Sequence, residues 1–455
     1  MAHVLVQNPS GSDGLRTVKL FFYAAVILLI AEWIGAFTFK LGPGKIVLLP
    51  MIWALLLGAA LGLASSRWRS SARLDVATQF LAAAVLQPAL LLFVAKLGLL
   101  VGGALPKLAA AGWALAFQEL GHFVGTILLG LPIALLLGIK REAIGATFSV
   151  GREPSLAIIG EKYGMDSPEG RGVLAEYLTG TVFGAVFIAL LAGFVASLGI
   201  FDPVALAMGS GVGSGSMMAA ASGAIAAQQS PEVAQQVLTF AAASNLITTT
   251  IGTYFTLFIS LPMAVWGYRV LEPVLGRRTR ASAASDAAAH AAVRAAEGTA
   301  QDVASVRTEA PALGYPGKLL AWVMTAIFAM LCDRIAHGTA FGALLPGMLA
   351  MLGAVIVGDA VSTLTRRRIP AVCWVSLAAM FMTSPLCPWA TQIAAVSAKN
   401  DFLAVTTPML AFAGLSIAKD IPAFRRLGWR IVLVSFIANA GTFLGATLVA
   451  QIFHH

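Results

Sequence analysis

Apolar stretches long enough to cross a bilayer alternate along the whole chain with short polar or basic interruptions. A hydrocarbon core about 30 Å thick takes about 20 helical residues to cross. The pattern predicts spans at 18–38, 46–64, 76–101, 110–138, 172–198, 233–268, 319–336, 342–364, 371–397, 402–418 and 430–452. The expected fold is an all-α integral membrane protein, a polytopic helical bundle of about 11 spans. One segment breaks the pattern. Residues 203–227 open on Asp202-Pro203 and are interrupted by glycines, which predicts a glycine-rich re-entrant hairpin that enters and leaves on one side.

After a polar N-terminal tail, 1–17, the spans fall into a first membrane bundle, 18–270, and a second, 316–455. Between them, 271–315 is rich in Ala, Ser, Asp, Arg and Glu and reads as a cytoplasmic linker with a short Ala-rich helix. The bundles carry an internal repeat. Leu48-Leu49-Pro50 before a run ending in Gly62 matches Leu344-Leu345-Pro346 before one ending in Gly358. Gln87-Pro88 matches Thr407-Pro408, and Gly121-His122-Phe123-Val124-Gly125 matches Gly441-Thr442-Phe443-Leu444-Gly445. The offset is 296 residues in the first match and 320 in the others. Repeats let two related bundles rock about one site, although short apolar matches also arise by chance. The orientation of the repeat stays open, because Pro385 and Pro388 disfavour a full crossing by 371–397, whereas the charge pattern requires one.

Composition narrows the class. Hydrophobic residues make up 58% of the chain and charged residues 11%, about half the charged share of a soluble domain. The net charge of +9 is spread between the apolar runs, in clusters around Arg67–Arg73, Arg277–Arg280, Arg366–Arg368 and Lys419–Arg430. That is how Lys and Arg mark cytoplasmic loops, and it argues against a nucleic-acid partner. With the N-terminus inside, the first two of these clusters and Lys140-Arg141 fall inside, as expected for a bacterial inner membrane. The first apolar run lacks a small-residue cleavage site and reads as a retained span. Cys332, Cys373 and Cys387 lack metal-ligand spacing, so no metal or other cofactor is expected.

The segment richest in possible chemistry is Met208-Gly-Ser-Gly-Val-Gly-Ser-Gly-Ser216. Such a run cannot hold a lipid-facing helix, since each Gly costs about 1 kcal/mol relative to Ala. Two half-helices meeting at the glycines would expose N–H groups to an anion. Gly209, Ser210, Gly211, Gly213, Ser214, Gly215 and Ser216 are therefore candidate substrate-binding residues. The alternative is a packing seam of small residues. Opposite them, Asn245 and Thr249 lie one turn apart and could line a polar cavity. In Ser149-Val-Gly-Arg-Glu-Pro-Ser155, Arg152 either faces the cavity and pairs a substrate carboxylate or belongs to a solvated connector. Glu119 and His122, one turn apart with Gln118 beside them, are candidates for ion or proton coupling. The alternative places Glu119 at an interfacial boundary. Glu32 and Asp359 are further ionisable residues within spans. No nucleophile–base pair has diagnostic spacing, so no catalytic residue is assigned and the chain is not expected to be an enzyme.

These segments carry a resemblance. Ser149 to Ser155, Glu161-Lys-Tyr-Gly164 and Gly211-Val-Gly-Ser-Gly-Ser-Met-Met218 resemble the bacterial domain-of-unknown-function family 3100, over most of the chain. A looser resemblance, on Gly209 to Ser216 alone, is to the glutamate:sodium symporter and 2-hydroxycarboxylate transporter families. It implies repeated bundles with re-entrant hairpins and carboxylate uptake coupled to sodium or protons. The second bundle departs from this pattern, Thr383-Ser384-Pro385 being its nearest candidate hairpin. The expected function is a secondary transporter of a small carboxylate or amino-acid-like anion coupled to sodium or protons. A passive channel or exporter and an intramembrane enzyme or assembly factor are the alternatives, and a homodimer is compatible with the pattern. If the linker is cytoplasmic, Ser285→Cys stays unlabelled by an impermeant thiol reagent on intact cells and reacts once the membrane is permeabilised.

Overall fold

The computed structural model describes residues 11–65, 73–110, 112–150, 153–165, 167–211, 213–250, 252–276, 313–366, 371–421 and 427–453. Seven helices among them are long and apolar enough to cross a membrane. They are α1 (Gly11–Ile34, apolar from Gly14), α3 (Val76–Gly103), α5 (Gly112–Leu136), α8 (Pro168–Ser197), α13 (Tyr315–His337), α14 (Phe341–Leu364) and α18 (Trp429–Phe453). The protein is thus a multi-pass α-helical membrane protein.

Three of the expected spans take other forms, and a fourth is described in two pieces. Residues 46–64 become the end of a β-hairpin and a helix too short to qualify. Strand β1 (Phe37–Leu41) pairs antiparallel with β2 (Gly44–Leu48), and α2 follows over Pro50–Ser65. With residue 251 outside the described residues, the 233–268 stretch is described as α11 (Pro231–Thr250) and α12. That last element runs through Gly252–Phe255, a π turn at Thr256–Ser260 and Leu261–Leu275. Residues 371–397 divide into α15 (Ala371–Thr383) and α16 (Ala390–Ser397), separated by the two prolines. Residues 402–418 form α17 (Phe402–Ile417), bent 63° from α16. Counting that bent pair as one span brings the total to eight. Of the linker, 277–312 lies outside the described residues.

Short elements fill the ends. α4 (Leu105–Ala110) joins α3 to α5, and α6 (Glu142–Thr147) and α7 (Glu153–Lys162) precede α8. Side chains cap several helices where orphan N–H groups need acceptors. Asp75 accepts from the Thr78 amide, Ser167 from Gly170, and Asp401 from Leu403 and Ala404. α11 begins at Pro231, directly after Ser230 and before Glu232, an order of cap, proline and acid that favours a helix start. At the end bearing Arg141 and Arg430, α6 and the start of α8 are tied by reciprocal ion pairs: Arg141 to Glu169 at 2.5 Å and Arg171 to Glu142 at 2.8 Å.

Glycines set how closely the long helices approach. A methyl group at Gly125 would strike the Gly441 carbonyl, and one at Gly441 would strike that of Gly125. Gly121 and Gly445 stand in the same reciprocal relation, so α5 and α18 cross antiparallel with backbones in contact. Thr126 and Thr442 hydroxyls meet beside the crossing at 2.5 Å. Gly58 and Gly414 bring α2 onto α17, and Gly98 and Gly102 bring α3 onto α15. Lipid supplies no hydrophobic drive between helices, so dispersion at such contacts has to hold them. Core residues on both sides of the linker form one continuous cluster, from Leu20 to Ala450. Gly125→Leu should lower the unfolding free energy in detergent by about 1–3 kcal/mol or more. Gly353→Leu, where nothing lies within 4 Å of an added Cβ, should be close to neutral in the same denaturation assay.

Candidate functional site

Asp202, accepting from the Val204 amide, starts α9 (Pro203–Ser210), and Ser214, accepting from Met217, starts α10 (Gly215–Ala226). The two helices meet at residues 211–214, where Gly213 has φ +98°, a conformation that Cβ-bearing residues rarely adopt. The far end of α9 is held from two sides. Gly209 presses on Thr447 and Phe443 of α18, and Gly211 on Ser244 of α11. Ser244 Oγ donates to the Met208 carbonyl (2.7 Å), and Asn245 Nδ2 to the Gly211 carbonyl (2.7 Å). Ser210 Oγ is spent on the Ala207 carbonyl (2.7 Å). Gly209, Ser210 and Gly211 are thus packed against neighbouring helices, and Asn245 clamps the turn by its amide. Thr249 donates to the Asn245 carbonyl and, with Asn245, borders a crevice of about 20 Å³ against Gly98 and Ser376, room for one water.

The other half of the turn is open. Ser214, Gly215 and Ser216 line a cavity of about 330 Å³ together with Gln87 of α3, Tyr177 and Thr181 of α8, and Lys419. The amides of Gly215 and Ser216 start a helix and so have no intrahelical acceptor. Ser214 and Ser216 hydroxyls lie 3.0 Å apart. Thr181 belongs to a π turn, Gly180–Gly184, a deviation common at functional sites. Lys419 stands 5.7 Å over the Phe80 ring and pairs with Asp420 at 2.6 Å. A helix N-terminus, an ammonium and the Asp420 carboxylate paired with it thus face one cavity, whose other walls include Phe80, Leu86, Leu90 and Met409.

Glu119 and His122 lie inside the bundle, each 1% exposed. His122 Nδ1 is 3.4 Å from Glu119 Oε2, and Gln118 Nε2 donates to Oε1 (3.3 Å). Thr248 of α11 also donates to Oε1. His122 Nε2 and Gln118 Oε1 are buried with no hydrogen-bond partner. The described residues do not place this pair in the lining of the 330 Å³ cavity. Arg152 lies outside the described residues. Beyond it, α7 buries Leu156 and Ile159 and exposes Glu161 and Lys162, the pattern of an amphipathic connector.

A second cavity, of about 430 Å³, lies at the opposite end of α3, between α3, α11 and α16. Lys96, Glu232, Gln235 and Thr239 supply its polar lining. Lys96 is not among the sequence-derived candidates, although an isolated Lys within an apolar run is itself the signal for it. Gln87, Thr181 and Lys419 had no comparable signal, since only folding brings them together. Among the described residues, no group of three or more His, Cys, Asp or Glu side chains could hold a metal ion.

Seven helices long and apolar enough to cross a bilayer define the class as a polytopic α-helical membrane protein. The family model described as "Protein of unknown function (DUF3100)" matches residues 29–270, more than half of the chain, and the chain belongs to that family. No curated protein and no solved structure matches it. The packing role of Gly211 is open to a rescue test. Gly211→Ala should cost about 1–3 kcal/mol by overpacking, and Ser244→Gly in the same protein should recover much of that loss in thermal unfolding.

Proposed function

We propose that the protein is a secondary transporter of a small organic anion, with the carboxylate received at Ser214–Ser216. One observation carries this reading: the first turn of α10 and the Lys419 ammonium, itself paired with Asp420, converge on one cavity of about 330 Å³. Unpaired amides and the helix dipole favour a negative group there. Gln87, Thr181 and Tyr177 offer hydrogen bonds for the rest of a small, polar molecule. Sodium or a proton is the proposed coupling ion, and the buried Glu119–His122 pair is a proton-carrying candidate.

In this reading the basic end of the bundle faces the cytoplasm of a bacterial cell and the protein sits in the inner membrane. α9 and α10 then form a re-entrant hairpin that enters from the opposite side and turns midway. Support comes from Asp202 and Gly223 lying near the ends of other helices, against Gln451 and against Met51 and Leu403, while the turn contacts Ser244 at mid-bundle. The short and broken helices complete the eleven traverses. The internal repeat pairs α3 and α5 with α17 and α18. Its support is the reciprocal crossing of Gly121 and Gly125 with Gly445 and Gly441, which gives the two units opposite orientations. Because α3 borders one cavity near Gln87 and another near Lys96, a rocking motion about it would open each in turn. The catalytic alternative has no nucleophile–base arrangement in its favour, so we favour a carrier without enzymatic activity. A homodimer is compatible with this reading.

The test is ligand-induced thermal stabilisation of the purified protein across carboxylates and amino acids, with and without sodium. A binding carboxylate should raise the melting temperature of the wild-type protein. Gly213→Val should abolish the response through backbone strain at the turn, and Ser214→Ala should weaken binding by about 1 kcal/mol. A Gly213→Val protein that melts normally and responds fully would move the site elsewhere.

A further inference from the structure

Lys96 is the one Lys or Arg buried among the described residues, at 3% exposure. Its ammonium donates to the Ser397 carbonyl at 2.8 Å. Ser397 ends α16, and the last carbonyls of a helix carry partial negative charge. Asp401, just beyond, starts α17 across the 63° bend. The Asp401 amide donates to Asp333 Oδ2 of α13 (2.7 Å), and Asp333 Oδ1 lies 3.4 Å from His337 Nδ1. Both carboxylates act electrostatically on Lys96. Glu32 of α1, hydrogen-bonded to Cys332 and Thr407, interacts electrostatically with Asp401, and Glu232 of α11 borders the same cavity as Lys96. Lys399, in the turn between α16 and α17, is exposed.

A helix C-terminus and two carboxylates at a break between helices form the electrostatic setting that attracts a small cation. Here that place is filled by a cation tethered to α3. We infer that Lys96 is the proton-binding group of the transport cycle, so that the coupling ion is a proton rather than sodium. The inference rests on the transporter reading above. Charged, Lys96 ties α3 to the end of α16 and keeps the 430 Å³ cavity narrow. When the ammonium gives its proton to water in the cavity, the amine that is left holds the Ser397 carbonyl less firmly and α16 is free to move.

The experiment uses the full-length protein with Ala394→Cys, a position lining that cavity; the three natural cysteines are buried. The rate of labelling by a cationic methanethiosulfonate is followed from about pH 6 to about pH 9.5, a range over which a buried Lys can titrate. It is divided by the rate at the exposed Ala340→Cys, which removes the effect of thiol ionisation. The normalised rate should rise about five-fold or more with pH and be the same in sodium and choline chloride. With Lys96→Met it should be high at every pH, and with Lys96→Arg low at every pH. A flat profile in the Lys96-containing protein, a rise that survives in Lys96→Met, or a sodium-dependent rate overturns the assignment. If Lys96→Met does not fold, Lys96→Arg decides: a pH rise in that variant overturns the assignment, and a flat, low rate supports it. The carboxylate panel separates the two ideas. Stabilisation by a carboxylate alongside a flat pH profile removes the proton assignment and leaves the transporter standing. The expected pH profile with no stabilising carboxylate leaves Lys96 as a proton switch and removes the transporter.

Discussion

Backbone contact between α5 and α18 is the constraint on which the rest of this bundle depends. Four glycines let two helices touch where any side chain would hold them apart, and that crossing fixes what lies beside it. Gly209 of α9 packs against Thr447 and Phe443 on the same α18, so the turn at 211–214 inherits its position from the crossing. α11 then closes over the turn through Ser244 and Asn245 while also reaching Glu119 on α5 through Thr248. The candidate anion site and the buried acid–imidazole pair are therefore two neighbours of one rigid joint.

α3 plays a different part. It is 28 residues long and carries Pro88 within it, and it borders a cavity towards each end. Near the basic end it offers Gln87, a neutral amide, beside the start of α10. Near the other end it offers Lys96, a cation bonded to the end of α16. Lys96 reaches the last carbonyl of a short helix, and Gln87 shares a cavity with the first turn of another. A bilayer makes such pairings worth more than they would be in water, because the alternative is an unsatisfied group in a dry interior.

The sequence was most informative where a single property decides structure. Apolar run length located seven long helices, and the density of glycine between 209 and 216 located a turn between two short ones. Ser230-Pro231-Glu232 marked a helix start, and Glu119 and His122 proved to be neighbours because one helical turn separates them. It was least informative where the outcome depends on tertiary contact. Within the glycine run, nothing local distinguishes Gly211, which meets Ser244, from Gly215, which faces a cavity. Residues 46–64 are apolar enough for a span, yet 44–48 pair with 37–41 as strands instead. Gln87, Thr181 and Lys419 come from three distant helices or their ends, and no periodicity links them.

The α5–α18 joint also has a meaning in time. Thr126 and Thr442, which touch beside it, are 316 residues apart in the chain. During synthesis α5 enters the membrane long before its partner exists, with its glycine face turned to lipid or to a provisional neighbour. The reciprocal ion pairs between α6 and α8 join residues fewer than 30 positions apart and can form early. Biogenesis would thus proceed from a pre-assembled basic edge to a late closure. Until α18 is made, the glycine face of α5 lacks the surface that covers it in the finished bundle.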